Sequence, residues 1–169
     1  LAAEKQVHRF AELLDLPDTR IVIVGDGPER SRLEKILPAD RVSFTGSLSG
    51  TELSAAYAAM DVFVHFGEEE TFGQTIQEAQ AAGVPVIAPR AGGPIHLIDS
   101  GFDGTLFDPA IPREPAVLVR QLLDDDGERA RMGEAGRRRV LGRSWDAVNA
   151  ELVKHYGTAR KKMRNHVVA

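Results

Sequence analysis

The chain has 169 residues, with 21 basic and 25 acidic side chains, a formal net charge of -4, 43% hydrophobic and 27% charged residues, and no cysteine. At about 150 residues per domain this composition describes one globular domain with a core of its own. It excludes a disulfide framework, a thiolate metal site and a cysteine nucleophile. No run approaches the ~20 apolar residues of a membrane helix, Leu1 does not open a secretory leader, and the mild acidity speaks against a nucleic-acid partner bound by broad charge neutralisation.

Read in chain order, the sequence alternates helical patterns with short β-branched runs. Val7, Phe10, Ala11 and Leu14 share one helical face at the start. Strands are predicted at 21–24, 42–45, 61–66, 84–88 and 104–107, with helices of about 8 to 12 residues between them; Leu53, Ala56 and Tyr57 mark the inward face of one. The strands are continuously apolar, the mark of a parallel sheet buried on both faces. From Pro112 onward the strand signal stops, and helices are predicted at 115–123, 128–141 and 145–162, the last with Trp145, Val148, Leu152 and Tyr156 near one face. The pattern is that of an α/β, doubly wound, Rossmann-like domain over 1–169, in which 112–169 form a helical carboxyl-terminal part. A doubly wound domain normally opens on a strand that is central in the order 3-2-1-4-5-6. This chain opens on a helix, so the sequence predicts that a first strand is missing.

Ligands of such sheets bind at the carboxyl ends of the strands, and three loops there have unusual compositions. The strongest is Gly67-Glu68-Glu69-Glu70-Thr71-Phe72-Gly73-Gln74. Thr71 and Gln74 have capping-box spacing, which predicts a helix starting directly after Thr71. The first N–H groups of that helix, Phe72 to Gln74, then make an anion site, and Gly73 leaves its backbone open to a ligand. The glutamates suit the other half of a sugar nucleotide, because a carboxylate accepts from two adjacent sugar hydroxyls. Glu78 lies two turns further along, near the same face. A solvated acidic turn with a salt-bridged helix residue is the competing reading.

The second loop, Pro89-Arg90-Ala91-Gly92-Gly93-Pro94, reads either as a second wall of the cleft or as a tight turn into a helix starting at Pro94. The third, Gly25-Asp26-Gly27-Pro28-Glu29, does not complete a dinucleotide fingerprint, because position 30 is Arg. Lys5 reads as a surface lysine or as a cation facing a diphosphate. Asp124-Asp125-Asp126 reads as a solvated helix terminus. The five histidines show no ligand spacing, and His96 reads as a surface residue. Arg137, Arg138, Arg139 and Arg143, with the tail Lys161, Lys162 and Arg164, read as solvated helix faces, the alternatives being an anionic membrane surface or a partner domain.

The stretch Glu70-Thr71-Phe72-Gly73-Gln74-Thr75-Ile76-Gln77-Glu78-Ala79 resembles the Glu-x7-Glu signature of retaining glycosyltransferases of family 4. Gly25-Asp26-Gly27-Pro28, Phe44-Thr45-Gly46, Ala82-Gly83-Val84-Pro85-Val86, Gly92-Gly93-Pro94 and Gly104-Thr105-Leu106 follow the family's order. The resemblance runs to about Asp108, and more loosely to Trp145. It implies the carboxyl-terminal, nucleotide-sugar-binding half of a two-domain GT-B enzyme, with the amino-terminal acceptor domain as its absent partner. Lys5 is then one of two donor-phosphate cations, and the other, an arginine, lies outside the chain. Glu70 contacts donor sugar hydroxyls, Glu78 holds the ribose, and Gly25, Thr71, Phe72 and Gly73 complete the donor site, with Phe72 and Gly73 offering backbone amides. Lys5 and Glu70 are the residues that bear on catalysis. His96 departs from the acidic residue often found at its position.

The wording is similar to bacterial mannosyltransferases that use GDP-mannose. The implied enzyme moves a hexosyl unit to an acceptor hydroxyl with retention, needs no metal or other cofactor, binds no nucleic acid, and works in the cytoplasm, with peripheral contact at the inner face of the membrane through a lipid acceptor. A GT-B-fold sugar-nucleotide epimerase and a non-catalytic nucleotide-sugar-binding module are the alternatives.

Overall fold

The computed structural model describes residues 1–143 and 145–166, with side chains through 143 and over 146–160. The basic tail Lys161, Lys162 and Arg164 and the side chain of Trp145 lie outside those described. The opening segment is not the single amphipathic helix that the spacing predicts. It is two 3₁₀ helices, Ala3–Lys5 and Val7–Leu13, separated by Gln6 at φ 49°. A left-handed residue interrupts the i→i−4 ladder, and the turns close three residues apart instead, as in Gln6 N–H to Ala3 O at 3.0 Å. With three residues per turn the inward row becomes Val7, Phe10 and Leu13, all packed in the core, while Ala11 is exposed.

Five short parallel strands follow: β1 (Ile21–Val24), β2 (Val42–Gly46), β3 (Phe63–Val64), β4 (Val86–Pro89) and β5 (Thr105–Phe107). The helices between them are α1 (Arg30–Ile36), α2 (Gly50–Ala58), α3 (Gln74–Ala81) and α4 (Pro94–Leu97). Then come α5 (Glu114–Asp124), α6 (Asp126–Leu141) and α7 (Trp145–His166), as the loss of strand signal after Pro112 predicts. β4 explains why helices lie on both faces. Its four residues are all buried, Ile87 in one cluster with Phe66, Phe107 and Val119, and Val86 and Ala88 in another with Tyr57, Ile76 and Leu97. Successive strand residues point to opposite faces, so a continuous apolar run needs cover on each.

β1 breaks the expected continuity. Ile21 and Ile23 are buried, but Val22 is 47% exposed. The cluster beneath α2, α3 and α4 includes residues of β4 and β5 and none of β1, so β1 is covered on one face only.

The sheet is in two parts, β1-β2 and β3-β4-β5, with no pairing between β1 and β3. Between those edges lies a cleft of ≈ 570 Å³, walled by side chains such as Phe10, Leu13, Ile23, Val64 and Val119. Ile21 and Gly25 donate toward β2, to Arg41 O at 2.9 Å and Gly46 O at 2.8 Å, and Phe63 and His65 donate toward β4, to Pro85 O at 3.0 Å and Ile87 O at 2.9 Å. Alternation turns the N–H groups of Val22, Val24 and Val64 toward the cleft, where no strand among the described residues pairs with them. Hydrogen exchange followed by NMR is expected to show these three amides exchanging at least ten times faster than Ile87 and Ala88, which are protected until global unfolding. Equal protection of Val22 and Ile87 would contradict the open edges.

Candidate functional site

Lys5, Gly25, His65, Thr75 and Glu78 all line this cleft. Residues at the carboxyl ends of β1 and β3, on α3 and on the first 3₁₀ helix supply polar groups, and Asp18, Thr19, Arg20, Ser47 and Asp61 supply others along an otherwise apolar lining.

The Glu70 carboxylate has four donors. Oε1 accepts from the backbone N–H groups of Thr71 at 3.1 Å, Phe72 at 3.3 Å and Gly73 at 3.0 Å, and Oε2 accepts from Lys5 Nζ at 2.8 Å. The Lys5 hydrogen bond is the main cause that holds its pKa down at about 2; partial burial opposes it, and the Gly73 amide adds to it.

The expected capping box does not form. α3 begins at Gln74, two residues later than the Thr71 signal predicts, and its cap is Gly73 at φ 63°. The reason is Glu70. Its carboxylate draws the three preceding amides onto one oxygen, and only a residue tolerant of left-handed geometry can lead from that turn into a helix. A Cβ on Gly73 would also collide with Leu97. Thr71 is exposed and caps nothing. The amides of Phe72 and Gly73, expected to face a ligand, are engaged by Glu70. No side chain caps α3, so its first turn, beginning at Gln74 and Thr75, keeps the open N–H groups of an anion site.

Glu78 projects from the next turns of α3. Tyr57 Oη donates to its Oε2 at 2.9 Å and Gln74 Nε2 to its Oε1 at 3.1 Å. Burial, with the Glu78 hydrogen bond behind it, raises the Tyr57 pKa far above the ordinary phenol value, so the hydroxyl stays a donor.

The Gly92-Gly93 loop lies under the Glu68–Thr71 backbone and does not form an opposite wall. Gly93 N–H donates to Glu70 O at 2.5 Å, and a Cβ on Gly92 would come 2.5 Å from Glu68 O. Pro94 opens α4 as predicted. Gly25 reaches the cleft, while the backbone of Leu1 lies over Gly27. His96 is exposed. Asp125 caps α6 by accepting from Glu128 N–H at 2.9 Å, while Asp124 pairs with Arg120 and Asp126 with Arg129, each at 2.7 Å. Arg139 departs from the solvated face expected of its run, because it bonds the buried Asp103 at 2.6 Å. Among the described residues, no three His, Cys, Asp or Glu side chains gather as a metal site, and no helix is long and apolar enough to cross a membrane.

Four residues at or beside the site escape sequence reasoning: Gln6, Arg9, Tyr57 and His65. Gln6 Nε2 donates to Glu68 Oε1 at 3.1 Å. Arg9 lies over the rings of Phe66 and Phe107, 5.1 and 5.4 Å from their centroids, and bonds Glu12 at 2.7 Å. His65 directly follows β3 and is 8% exposed, with Nε2 4.0 Å from Glu70 Oε2. Burial lowers its pKa, Glu70 opposes that and Lys5 reinforces it, so the ring is neutral at pH 7. Tyr57 was legible only as a core residue, and the other three carry no motif.

The sequence model of the family "Glycosyl transferases group 1" matches residues 1–139. The chain belongs to that family. It is 50% identical over 161 residues to a GDP-mannose-dependent alpha-mannosyltransferase of Mycolicibacterium smegmatis, covering 92% of this chain and 40% of the relative. Anabaena HepE, solved in complex with UDP and glucose, superposes with a TM-score of 0.80 at 25% identity over 93% of this chain and 46% of its own. The C-terminal domain of a group 1 glycosyl transferase (LpcC) from Francisella tularensis superposes at 0.70 with 25% identity, over 83% of this chain and 80% of that one. The fold is thus that of the carboxyl-terminal half of a GT-B glycosyltransferase. The chain spans about 40% of the length of the mannosyltransferases it matches.

The Glu70 hold makes stability depend on acid. Its folded pKa of about 2 lies below the unfolded value near 4.3, so the stabilisation is complete above about pH 4.5 and disappears as pH falls through 2. Glu70→Gln is expected to lower urea-unfolding stability at pH 7 by about 1.5–3 kcal/mol and by much less at pH 2. An equal loss at both pH values would show that the ion pair contributes nothing.

Proposed function

We propose that this chain is the donor-binding domain of a retaining hexosyltransferase that takes a nucleoside diphosphate hexose, with GDP-mannose the favoured donor, and passes the sugar to an acceptor hydroxyl. The observation that carries the reading is the meeting of Lys5, the fixed Glu70 carboxylate and the uncapped first turn of α3 at one mouth of the cleft. Cation and helix terminus suit a diphosphate, and the carboxylate suits sugar hydroxyls. Glu78, held by Tyr57 and Gln74, suits the paired hydroxyls of the ribose. The 50% identity to a GDP-mannose-dependent enzyme supports the mannosyl donor, and the UDP and glucose bound by HepE support the ligand class.

In the transfer, the bond between the sugar and the diphosphate breaks as the acceptor oxygen bonds to the sugar, and the acceptor hydroxyl's proton passes to the departing diphosphate. Lys5 and the α3 terminus then stabilise the departing charge. The acceptor side would come from a partner domain such as the longer relatives have room for. The apolar cleft would take a further parallel strand, whose backbone would pair both open edges.

The two glutamates separate by ligand. Glu78→Gln is expected to weaken the nucleoside diphosphate and the nucleotide sugar alike, by roughly ten- to a hundredfold. Glu70→Gln is expected to weaken the nucleotide sugar while leaving the nucleoside diphosphate within about twofold. Calorimetry with GDP and GDP-mannose on both variants reads this directly, and unchanged binding in both would remove the proposal.

Donor binding on this reading draws its positive charge from Lys5 and backbone amides, so the affinity for GDP-mannose is expected to be the same with and without excess chelator. A loss of binding that magnesium or manganese restores would overturn that part.

A further inference from the structure

His65 Nε2 is a buried polar atom with no hydrogen-bond partner, in a side chain only 8% exposed. Such atoms are exceptional in folded proteins, since leaving one unpaired costs about 1–3 kcal/mol. The residue two positions on is Gly67, where a Cβ would stand 3.2 Å from Nε2 and 3.0 Å from Glu4 O. The ring follows β3, whose register is fixed by the bond from His65 N–H to Ile87 O at 2.9 Å.

The surroundings define what the nitrogen awaits. Glu70 Oε2 is 4.0 Å away, too far for a hydrogen bond, and is itself fixed by Lys5 at 2.8 Å. An oxygen atom about 2.8 Å from both Nε2 and Oε2 would see them at roughly a right angle, within reach of a hydroxyl that donates to one and accepts from the other. The carboxylate is an acceptor only, so the group between them must donate to it. An anion is repelled there by Glu70, and an ammonium group by Lys5. A neutral hydroxyl meets both demands, donating to Oε2 and accepting from the imidazole in its Nε2–H tautomer.

We propose that His65 is a specificity-determining residue of the donor site, its Nε2 and the Glu70 Oε2 together holding one ring hydroxyl of the donor hexose. This rests on reading the site as one for a nucleoside diphosphate hexose. His65 belongs to the sugar end of the ligand and is indifferent to the base.

The test is calorimetry on the 169-residue chain and its His65→Phe and His65→Gln variants, with GDP, GDP-mannose, UDP, UDP-glucose and the monodeoxy analogues of GDP-mannose. Thermal melts check that each variant folds. His65→Phe is expected to weaken GDP-mannose roughly tenfold and to leave GDP within about twofold. His65→Gln, which keeps an N–H near the Nε2 position, is expected to recover most of the loss. One deoxy analogue should bind the native chain about tenfold more weakly than GDP-mannose and lose nothing further on His65→Phe. If a water molecule alone occupies the position, His65→Phe changes GDP and GDP-mannose equally or not at all and no deoxy analogue shows this non-additivity, which overturns the proposal. Should His65→Phe fail to fold, His65→Gln and the deoxy series decide: a series in which every hydroxyl is dispensable overturns it. A native chain that binds none of the four nucleotide ligands overturns the donor reading itself, and this inference with it.

Discussion

The hold on the Glu70 carboxylate is the constraint on which the rest of the site depends. Three consecutive amides and one ammonium meet its two oxygens. That arrangement ties the loop after β3 to the first 3₁₀ helix, 65 residues away in sequence. It also decides where α3 begins, because the amides that would have opened the helix are already spent on Glu70. The two glycines before α4 complete the geometry from below. Any side chain at Gly92 or Gly93 would meet the carbonyls of residues 68 to 71 at under 3 Å, so the loop can lie at its present height only over bare backbone.

The layered part of the fold was legible because its signals are local and repeated. β4 reads as an unbroken apolar run and is buried on both faces, and α5 and α6 lie where the strand signal stops after Pro112. Legibility failed where a single backbone torsion decides. Gln6 at φ 49° converts a predicted helix into two tighter turns, which turns Ala11 out to solvent and buries Leu13 on the inner row. Nothing in the identity of a glutamine announces that torsion. β1 misled for a different reason: four β-branched or aliphatic residues look doubly buried, but burial depends on which neighbours cover the strand, and the helices that cover β3 to β5 stop short of it.

The site shows the same division. Glu70, Glu78 and Lys5 were legible as charged groups in unusual positions beside strand ends, and the structure brings Lys5 and Glu70 into contact. The Thr71 cap was misjudged because a capping box is a pattern of two residues, while Glu70 competes for the same amides with a full negative charge. Tyr57 and His65 were invisible because their importance lies in what they face. Tyr57 is a core residue by its helical spacing and a hydrogen-bond donor to Glu78 only across the fold. His65 is one of five scattered histidines until β3 sets it against Glu70.

The charges around the cleft mouth also bear on what kind of ligand can enter. Glu68, Glu70 and Glu78 stand there against Lys5 and Arg9, with His65 neutral, so the local field does not favour a bare anion. An anion gains only where donors are fixed and aimed, at Lys5 and the first turn of α3. The carboxylates gain from hydroxyl donors that bring no charge of their own. A ligand that is anionic in the middle and rich in hydroxyls at both ends matches this alternation, and inorganic phosphate or a sugar without diphosphate satisfies only part of it. Discrimination on the donor reading therefore comes from the order of charge along the ligand, imposed by a carboxylate that four donors keep from moving aside.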